Sequence, residues 1–241
     1  MSAPILITGA GNGIGFFCAR YLKQHGFPIL GHFHHTLSDK EEFDKICSDK
    51  FQADLCDRNA VAEMCEAISK RYSTLRGIIH NASTFAPMSP DPLEAYRQMK
   101  KFTAIHMLAP FQINLALKKL LFSQAENQVP ADIIHITDIY AENPNPKFAN
   151  YCATKAGLEN LSQSFAKQFA PQVKVNTIQP GPISFKPFHD ENNQADVIDS
   201  TLLNRQGTPE AIAKAILSLF DNDYITGTRL QVDGGRHLTQ G

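Results

Sequence analysis

The feature that most constrains how this chain can fold is a glycine-rich turn between an apolar segment and a helical pattern. Residues 4–8 are mostly apolar, and the turn that follows reads TGAGNGIG from Thr8 to Gly15. Apolar residues then recur at helical spacing as far as Leu22. In the first βα unit of a nucleotide-binding sheet, glycines let a pyrophosphate approach the backbone, and the helix N-terminus attracts the anion. The turn therefore predicts dinucleotide binding, with a ligand-free glycine turn as the alternative; the expected contacts are Gly9, Asn12, Gly13, Ile14 and Gly15.

Segments of strand and helix character alternate along the rest of the chain. Strands are expected over residues 4–8, 27–33, 50–53, 77–80, 132–137, 173–177 and 229–232. Helices are expected over residues 57–72, over 93–125 as one or two, over 148–169, and from a Thr208 cap to 220; capping-box spacing at 38–41 predicts another. This alternation is typical of an α/β fold: a single Rossmann-type domain over residues 1–241, with a doubly wound, seven-stranded parallel sheet and helices on both faces.

Composition removes several classes of function. The net charge is −1 and no basic run occurs, so nucleic acid binding is not expected. No apolar run approaches the length of a membrane span, and the N-terminus enters a strand without a leader-like segment. The five cysteines include no C-x-x-C pair, so we expect reduced thiols in a cytoplasmic protein, and neither a disulfide frame nor a zinc site.

The end of the second expected strand indicates which dinucleotide binds. NAD-binding sites commonly place an acid there to hold the ribose hydroxyls, whereas this chain has His34, His35 and Thr36. A carboxylate would repel a 2′-phosphate, and imidazoles or a hydroxyl can hydrogen-bond to one, so this segment favours NADPH. A metal site using His32 and His34 is one alternative, and solvated histidines are another. The metal site is the least favoured, because no third ligand is evident nearby.

Further ligand contacts are expected where other strands end, because parallel strands open their carboxyl ends onto one crevice. Asp54, followed by Leu55, is either an acceptor for the adenine amino group or a helix cap or turn residue. Phe85 is either a wall of the substrate pocket or part of the core. Residues 184–204 have mixed polarity and weak periodicity, which is typical of a mobile lid. The remaining expected contacts are Asn81, Ala82, Ser83, Pro180, Gly181, Pro182 and Ile183.

The chemistry is expected from Tyr151 and Lys155, which lie four residues apart and share one face if a helix covers them. An ammonium beside the phenol would lower the pKa of the tyrosine from about 10 toward neutrality, so that the phenol can supply a proton. Asp138 lies thirteen residues before the tyrosine, at the end of the fifth expected strand. For a Tyr-x-x-x-Lys pair by itself, an ordinary amphipathic helix is the alternative.

Taken together, these residues resemble the short-chain dehydrogenases/reductases. The resemblance covers nearly the whole chain, in the family's order and spacing, and rests on Thr8–Gly15, Asn81–Ala82, the Tyr151/Lys155 pair and Pro180–Gly181. It implies that Tyr151 is the proton donor, and that Lys155 binds the nicotinamide ribose and lowers the tyrosine pKa. It also implies a homotetramer, in which the tyrosine-bearing helix and the preceding long helix pack across a two-fold axis.

One departure points to a branch of this family. Where the family usually has a serine that binds a substrate carbonyl, this chain has Asp138. A carboxylate beside a developing alkoxide suits ketone reduction poorly but suits a substrate with N–H groups or a ring nitrogen. The pteridine reductases and the bacterial dihydromonapterin reductases are similar here, and also at Asn81–Phe85, in the His-aromatic-His run at 32–34 and in the tail at 233–237.

By that likeness Phe85 stacks on the pterin ring, Ser83 lies near cofactor and substrate, and Asp138 supports Tyr151. The expected substrate contacts are Ser83, Phe85, Asp138, Tyr151 and Pro182. Two departures remain: His106 replaces the family's helix asparagine, and Gly13 stands where the pteridine reductases have an arginine.

The expected activity is NADPH-dependent reduction of a pterin, such as dihydromonapterin, a dihydrobiopterin-like compound or dihydrofolate. A reductase of the same family acting on a ketone or 3-oxoacyl substrate is the alternative. A non-catalytic dinucleotide sensor is a third possibility, against which the intact Tyr151/Lys155 pair argues.

Overall fold

Seven parallel strands form one continuous sheet in the computed structural model, which describes residues 2–126, 129–185 and 190–239. Their order across the sheet is β3-β2-β1-β4-β5-β6-β7. The chain starts near the middle, winds to one edge and then returns to β4 beside β1. This reversal opens a crevice at the carboxyl ends of the strands, where sheets of this type bind ligands. The strands are β1 (Ile5–Thr8), β2 (Ile29–Phe33), β3 (Cys47–Gln52), β4 (Gly77–His80), β5 (Ala131–Ile136), β6 (Val173–Pro180) and β7 (Arg229–Val232).

Helices cover both faces of the sheet, so the inner strands are buried on each side. Strands β1, β2 and β4 are largely apolar, whereas β6 also buries Lys174, Asn176, Thr177 and Gln179. The predicted fold class, a single doubly wound α/β domain, is confirmed. No helix within the described ranges is long and apolar enough to cross a membrane. The helices are α1 (Gly13–Gln24), α2 (Lys40–Ile46), α3 (Arg58–Arg71), α4 (Pro92–Thr103), α5 (Ala109–Ala116), α6 (Lys118–Ala125), α7 (Ala149–Phe169), α8 (Glu191–Asp199) and α9 (Pro209–Asp221).

Several predicted ends of strands and helices were wrong, at segments that contain polar residues or proline. Strand β3 begins three residues before the predicted start, because it is the edge strand and its outward residues are polar. Strand β6 continues to Pro180, which pairs in register with Val232 at the strand's end. The cap of α2 is Asp39 and not Ser38, since the Asp39 side chain accepts the Glu42 N–H at 2.9 Å.

The long helical pattern over residues 93–125 is not one or two helices. A π-helical turn, Ala104–Leu108, separates α4 from α5, and Leu117 separates α5 from α6 with a non-helical backbone conformation. The π turn carries His106 inward, where its ring is buried and bonded to α7 through Thr154. The consequence is a histidine held between a helix and the loop after β4.

The predicted lid contains helix α8, and residues 186–189 of it lie outside the described residues. The segment after α8 is bonded to the C-terminal tail. Ser200 Oγ accepts a hydrogen bond from Arg236 Nε at 2.9 Å, and the Leu203 N–H donates to the Gly234 carbonyl at 3.2 Å. The tail and the lid therefore meet beside the crevice.

Candidate active site

Two adjoining clefts lie along the carboxyl edge of the sheet. The tyrosine cleft is lined by Tyr151, Lys155 and Asp138, and the glycine groove by the glycine turn and the end of β2. They share Ile14, Asn81, Ser83 and Ser184. The other predicted residues of the tyrosine cleft are Phe85, Pro180, Gly181, Pro182 and Ile183. The other predicted residues of the glycine groove are Gly9, Asn12, Gly13, His34, His35, Thr36, Asp54, Leu55 and Ala82.

Gly15 is the predicted contact that lines neither cleft. A Cβ atom there would lie 2.2 Å from the Gly9 carbonyl oxygen and 2.4 Å from Asn81 Nδ2. The glycine is therefore required for packing of α1 against the turn. Asn81 makes this contact because its amide donates to the Thr8 and Gly9 carbonyls at 3.1 and 3.2 Å, tying the end of β4 to the end of β1.

Tyr151 and Lys155 lie one turn apart on α7, both buried, with their heads toward the cleft. The Tyr151 hydroxyl donates to Asp138 Oδ2 at 2.8 Å. The Lys155 ammonium donates to the Ile136 carbonyl at 2.9 Å and lies 5.6 Å from the centre of the Tyr151 ring. The structure therefore brings the three predicted catalytic residues together, with Asp138 as the direct partner of the phenol.

The predicted direction of the tyrosine pKa was wrong. Burial raises the pKa of Tyr151 well above its ordinary value, and the neighbouring Asp138 raises it further. These two effects outweigh the expected effect of the Lys155 ammonium. Burial also lowers the pKa of Lys155 to about 8. The arrangement holds the phenol protonated, which is the form that can donate a proton.

Asp138 is held at the start of a short 3₁₀ turn after β5. Its Oδ1 accepts the Tyr140 N–H at 2.9 Å, so its Oδ2 remains directed at Tyr151. Burial raises the pKa of Asp138, and the Tyr140 hydrogen bond and the Lys155 charge act in the opposite direction. A carboxyl group with a raised pKa takes up protons more readily and can pass one to a hydrogen-bonded phenol.

Phe85 combines the two roles predicted for it. Its ring stacks on Phe148 with centres 4.4 Å apart and meets Tyr151 edge-on at 4.8 Å. It is only partly buried and lines the tyrosine cleft. The ring thus rests on a small aromatic cluster and still presents area to the cleft.

His32 is a structural residue at the base of the glycine groove. Its Nδ1 accepts the Gly9 N–H at 3.1 Å, so the neutral ring carries its proton on Nε2, which donates to the Ala53 carbonyl at 3.1 Å. Burial lowers the pKa of His32 to about 4. The ring fixes the glycine turn against β2. Among the described residues, no group of three or more His, Cys, Asp or Glu side chains could hold a metal ion.

The outer end of the groove is formed by exposed polar groups. The His34 and His35 rings lie 3.6 Å apart, and His34 Nε2 lies 3.8 Å from Asp54 Oδ2. Asp54 forms a turn, because its Oδ1 accepts the Cys56 N–H at 2.8 Å, and the adjacent helix is capped by Asp57. Lys101 also lines this groove. No sequence pattern predicts its place there, since it belongs to a charged face of α4.

Other side chains at the site were not predicted from the sequence. Arg236 lines the tyrosine cleft, and its guanidinium lies 5.6 Å from the Tyr140 ring. Glu159, two turns after Tyr151 on α7, is buried beneath the cleft and accepts hydrogen bonds from Thr177 Oγ1 at 2.9 Å and Gln179 Nε2 at 3.0 Å. A signal was present in the spacing Tyr151, Lys155, Glu159, which puts all three on one helix face.

The chain is similar to known proteins over nearly its whole length. A family model described as enoyl-(acyl carrier protein) reductase matches residues 9–237. A dihydromonapterin reductase from Klebsiella pneumoniae is 36% identical over 239 residues, which are 98% of this chain and 97% of that protein. One from Escherichia coli O6:H1 is 31% identical over 242 residues, or 98% of each chain. The chain belongs to the short-chain dehydrogenase/reductase family.

Within the short-chain dehydrogenases/reductases, the resemblance to the pteridine and dihydromonapterin reductase branch is also confirmed. Among solved structures, the FolM alternative dihydrofolate reductase 1 from Brucella canis complexed with NADP is 26% identical. It superposes with a TM-score of 0.87 over 98% of this chain and 94% of that one. The chain is therefore an oxidoreductase whose relatives include pterin-reducing enzymes.

Proposed function

We propose that this protein is an NADPH-dependent reductase of a dihydropterin, such as 7,8-dihydromonapterin. The observation that carries the proposal is Asp138, whose carboxyl group lies 2.8 Å from the Tyr151 hydroxyl at the position where carbonyl-reducing relatives have serine. An anionic oxygen there would oppose the charge that develops on a ketone oxygen. The same carboxyl group favours a substrate that gains a proton on a ring nitrogen.

The glycine groove fits a dinucleotide. Helix α1 begins in the groove; the side chain of its N-cap residue, Asn12, does not cap its first N–H groups, and its first turn carries no acid. Free N–H groups at a helix N-terminus suit a pyrophosphate. Gly13 has a positive φ of 54°, and a Cβ atom there would meet nothing within 4 Å, so the turn leaves open space beside the helix.

His34, His35 and Thr36 would hold the 2′-phosphate of NADPH, and Lys155 would hold the nicotinamide ribose. Lys101 adds a positive charge to the same groove, which supports an anionic cofactor. When bound, NADPH supplies the hydride. Relatives whose structures were solved with NADP include the Brucella canis protein.

The residues of the tyrosine cleft account for the rest of the reaction. Phe85 offers an aromatic wall for a flat pterin ring. As C6 of a 7,8-dihydropterin accepts the hydride, the C6–N5 double bond becomes a single bond and N5 gains the proton that Tyr151 donates. Asp138, whose raised pKa favours uptake of a proton from solvent, then passes that proton to the Tyr151 phenolate, and Lys155 keeps a positive charge beneath the phenol. The segment over residues 184–204 would close the cleft as a lid.

An NADPH-oxidation assay tests the proposal against dihydromonapterin, dihydrobiopterin, dihydrofolate and several ketones. We expect rapid turnover of a dihydropterin and little turnover of ketones. The variant Asp138→Ser restores the residue of the carbonyl reductases and should lower pterin turnover far more than NADPH affinity. Asp138→Asn is the matched variant, because it keeps the shape of the side chain and removes the proton that the mechanism needs. It should therefore lower pterin turnover as well.

Two results would redirect the assignment. If ketones react faster than pterins and Asp138→Ser leaves dihydropterin reduction intact, the protein is a carbonyl reductase with an incidental aspartate. If NADPH binds and no substrate is turned over, the protein is a dinucleotide sensor.

A further inference from the structure

A chain of hydrogen bonds runs from the tyrosine cleft into the protein through His106. The His106 ring is 1% exposed. Its Nε2 lies 3.0 Å from Ser83 Oγ and accepts the Thr84 N–H at 3.3 Å, and its Nδ1 lies 2.8 Å from Thr154 Oγ1. Thr154 Oγ1 in turn lies 2.8 Å from the Tyr151 carbonyl oxygen. Each polar atom of the ring therefore has a partner.

The directions of these hydrogen bonds follow from the backbone group at one end. A backbone N–H can only donate, so the Thr84 contact requires a lone pair on His106 Nε2. Burial lowers the pKa of His106 to about 2, so the ring is neutral and its single proton lies on Nδ1. That proton is donated to Thr154 Oγ1, and the Thr154 hydroxyl proton goes to the Tyr151 carbonyl.

The Ser83 hydroxyl proton can point in only one direction within this series of hydrogen bonds. Nε2 of His106 has no proton, so the contact of 3.0 Å with Ser83 Oγ is a hydrogen bond only if Ser83 donates. The hydroxyl proton is then turned away from the clefts. Because Ser83 lines both clefts, what it presents to them is its oxygen lone pairs.

We propose that His106 and Thr154 are positioning residues that fix Ser83 as a hydrogen-bond acceptor, and that Ser83 accepts an N–H group of the substrate. A free serine hydroxyl would accept or donate according to the ligand. Held in this way, it favours amino and lactam N–H groups, which a 2-amino-4-oxo pterin carries, and disfavours carbonyl, carboxylate and phosphate oxygens. This inference rests on the proposed pterin activity for its ligand, while the polarity of Ser83 rests on the hydrogen bonds alone.

The first test needs no variant and no substrate. Long-range proton–nitrogen NMR on the histidine-labelled wild-type protein reports which ring nitrogen of His106 carries the proton. We expect Nδ1–H with a bare Nε2 at neutral pH. A protonated Nε2 would overturn the assigned polarity, whatever the enzyme reduces.

The second test uses Thr154, which is buried and removed from both clefts. Thr154→Val deletes the acceptor of the Nδ1 proton at nearly constant volume and should raise the KM for the dihydropterin roughly fivefold to tenfold, the scale of one weakened hydrogen bond, with a smaller change in kcat. Thr154→Ser keeps the hydroxyl and should retain the wild-type KM. Equal KM values for Thr154→Val and the wild type would refute the positioning role.

A double-mutant cycle separates action through Ser83 from general loosening of α7. Ser83→Ala should raise KM by itself, and adding Thr154→Val to it should raise KM no further. An additive effect would mean that Thr154 acts by another route. If wild type reduced no dihydropterin, the proposed function would fail while the NMR result still decided the polarity of Ser83.

Discussion

Tyr151 is the residue on which the proposed chemistry depends. Its hydroxyl is bonded to Asp138, while its ring is held by Phe85, Phe102 and His106. Tyr151→Phe keeps the ring contacts and removes the proton, so we expect turnover to fall by at least about a hundredfold, the scale of general acid catalysis, with NADPH affinity unchanged. Turnover and a fluorescence titration of NADPH measure the two effects.

Lys155→Ala is the comparison for that variant. It removes the buried ammonium that donates to Ile136 and faces the cleft, so both turnover and NADPH affinity should fall. Near-wild-type turnover in Tyr151→Phe would remove Tyr151 from the reaction. Retained NADPH affinity in Lys155→Ala would place the ribose contact elsewhere.

We expect the residues after β2 to decide which cofactor is preferred. His34, His35 and Thr36 are exposed to the glycine groove, and Asp54 is their acidic neighbour. We expect NADPH to bind more tightly than NADH. His35→Asp should weaken NADPH binding through repulsion of the 2′-phosphate, whereas His35→Asn, of the same size without the charge, should change it much less. Equal affinities for the two cofactors in the wild type would contradict the preference.

Sequence spacing predicted which residues meet at the site, but not how their charges are arranged. Tyr151 and Lys155 were placed together by their helical spacing. The direction of the tyrosine pKa could not be predicted, because it depends on the burial of the phenol and on its contact with Asp138. For a similar reason, the sequence did not distinguish the buried His32 from the exposed histidines: only its packing against Gly9 separates them.

At the scale of elements, the strands were predicted well because a parallel sheet buried on both faces leaves a continuous apolar signal. The π turn at Ala104–Leu108 leaves no such signal, since its residues still fit a helical period. What requires the turn is the burial of His106 against Ser83 and Thr154, which are distant in sequence. Tertiary contacts of this kind cannot be read from a local pattern.

The lid and the tail meet at Gly235, which offers a test of the lid. Gly235 has a φ of 79°, and a Cβ atom there would lie 2.8 Å from Leu202 Cδ1. Gly235→Ala therefore combines backbone strain with displacement of the segment that follows α8. Gly26→Ala is the matched control, because Gly26 has a φ of 87° and open space around it. Both should lose about 1 kcal/mol of stability to strain.

Only Gly235→Ala should also raise the KM for the pterin and speed hydrogen exchange in residues 191–203. Exchange rates and kinetics that match those of Gly26→Ala would show that the tail does not hold the lid. Urea unfolding of both variants measures the strain they share.

At the scale of the whole molecule, an apolar stripe that we call the α5 stripe runs from the end of the π turn along helix α5 and faces solvent. Leu108, Phe111 and Leu115 are 59%, 43% and 41% exposed and lie at helical spacing on one face. On α7, in contrast, Leu158, Phe165 and Phe169 are buried in the core of the single chain. Part of the apolar surface predicted to pack between subunits is therefore buried within the single chain, whereas the α5 stripe is exposed.

We expect the protein to be a homotetramer that uses this stripe. Light scattering at micromolar concentration should give the mass of four chains. Leu108→Glu should reduce the mass by placing a charge in the contact, and Leu108→Met should not. A stable monomer for the wild type would refute the expectation.

The boundary shared by the two clefts also has a consequence for the kinetics. It is formed by Ile14, Asn81, Ser83 and Ser184. A cofactor lying along the glycine groove would reach them and become one wall of the neighbouring cleft. The pterin would then meet its complete pocket only after the cofactor has arrived. From this shared boundary we expect a compulsory order of addition, with the cofactor first to enter and last to leave. Oxidised cofactor would compete with NADPH alone, and the concentration of NADPH would set how much enzyme is open to its substrate.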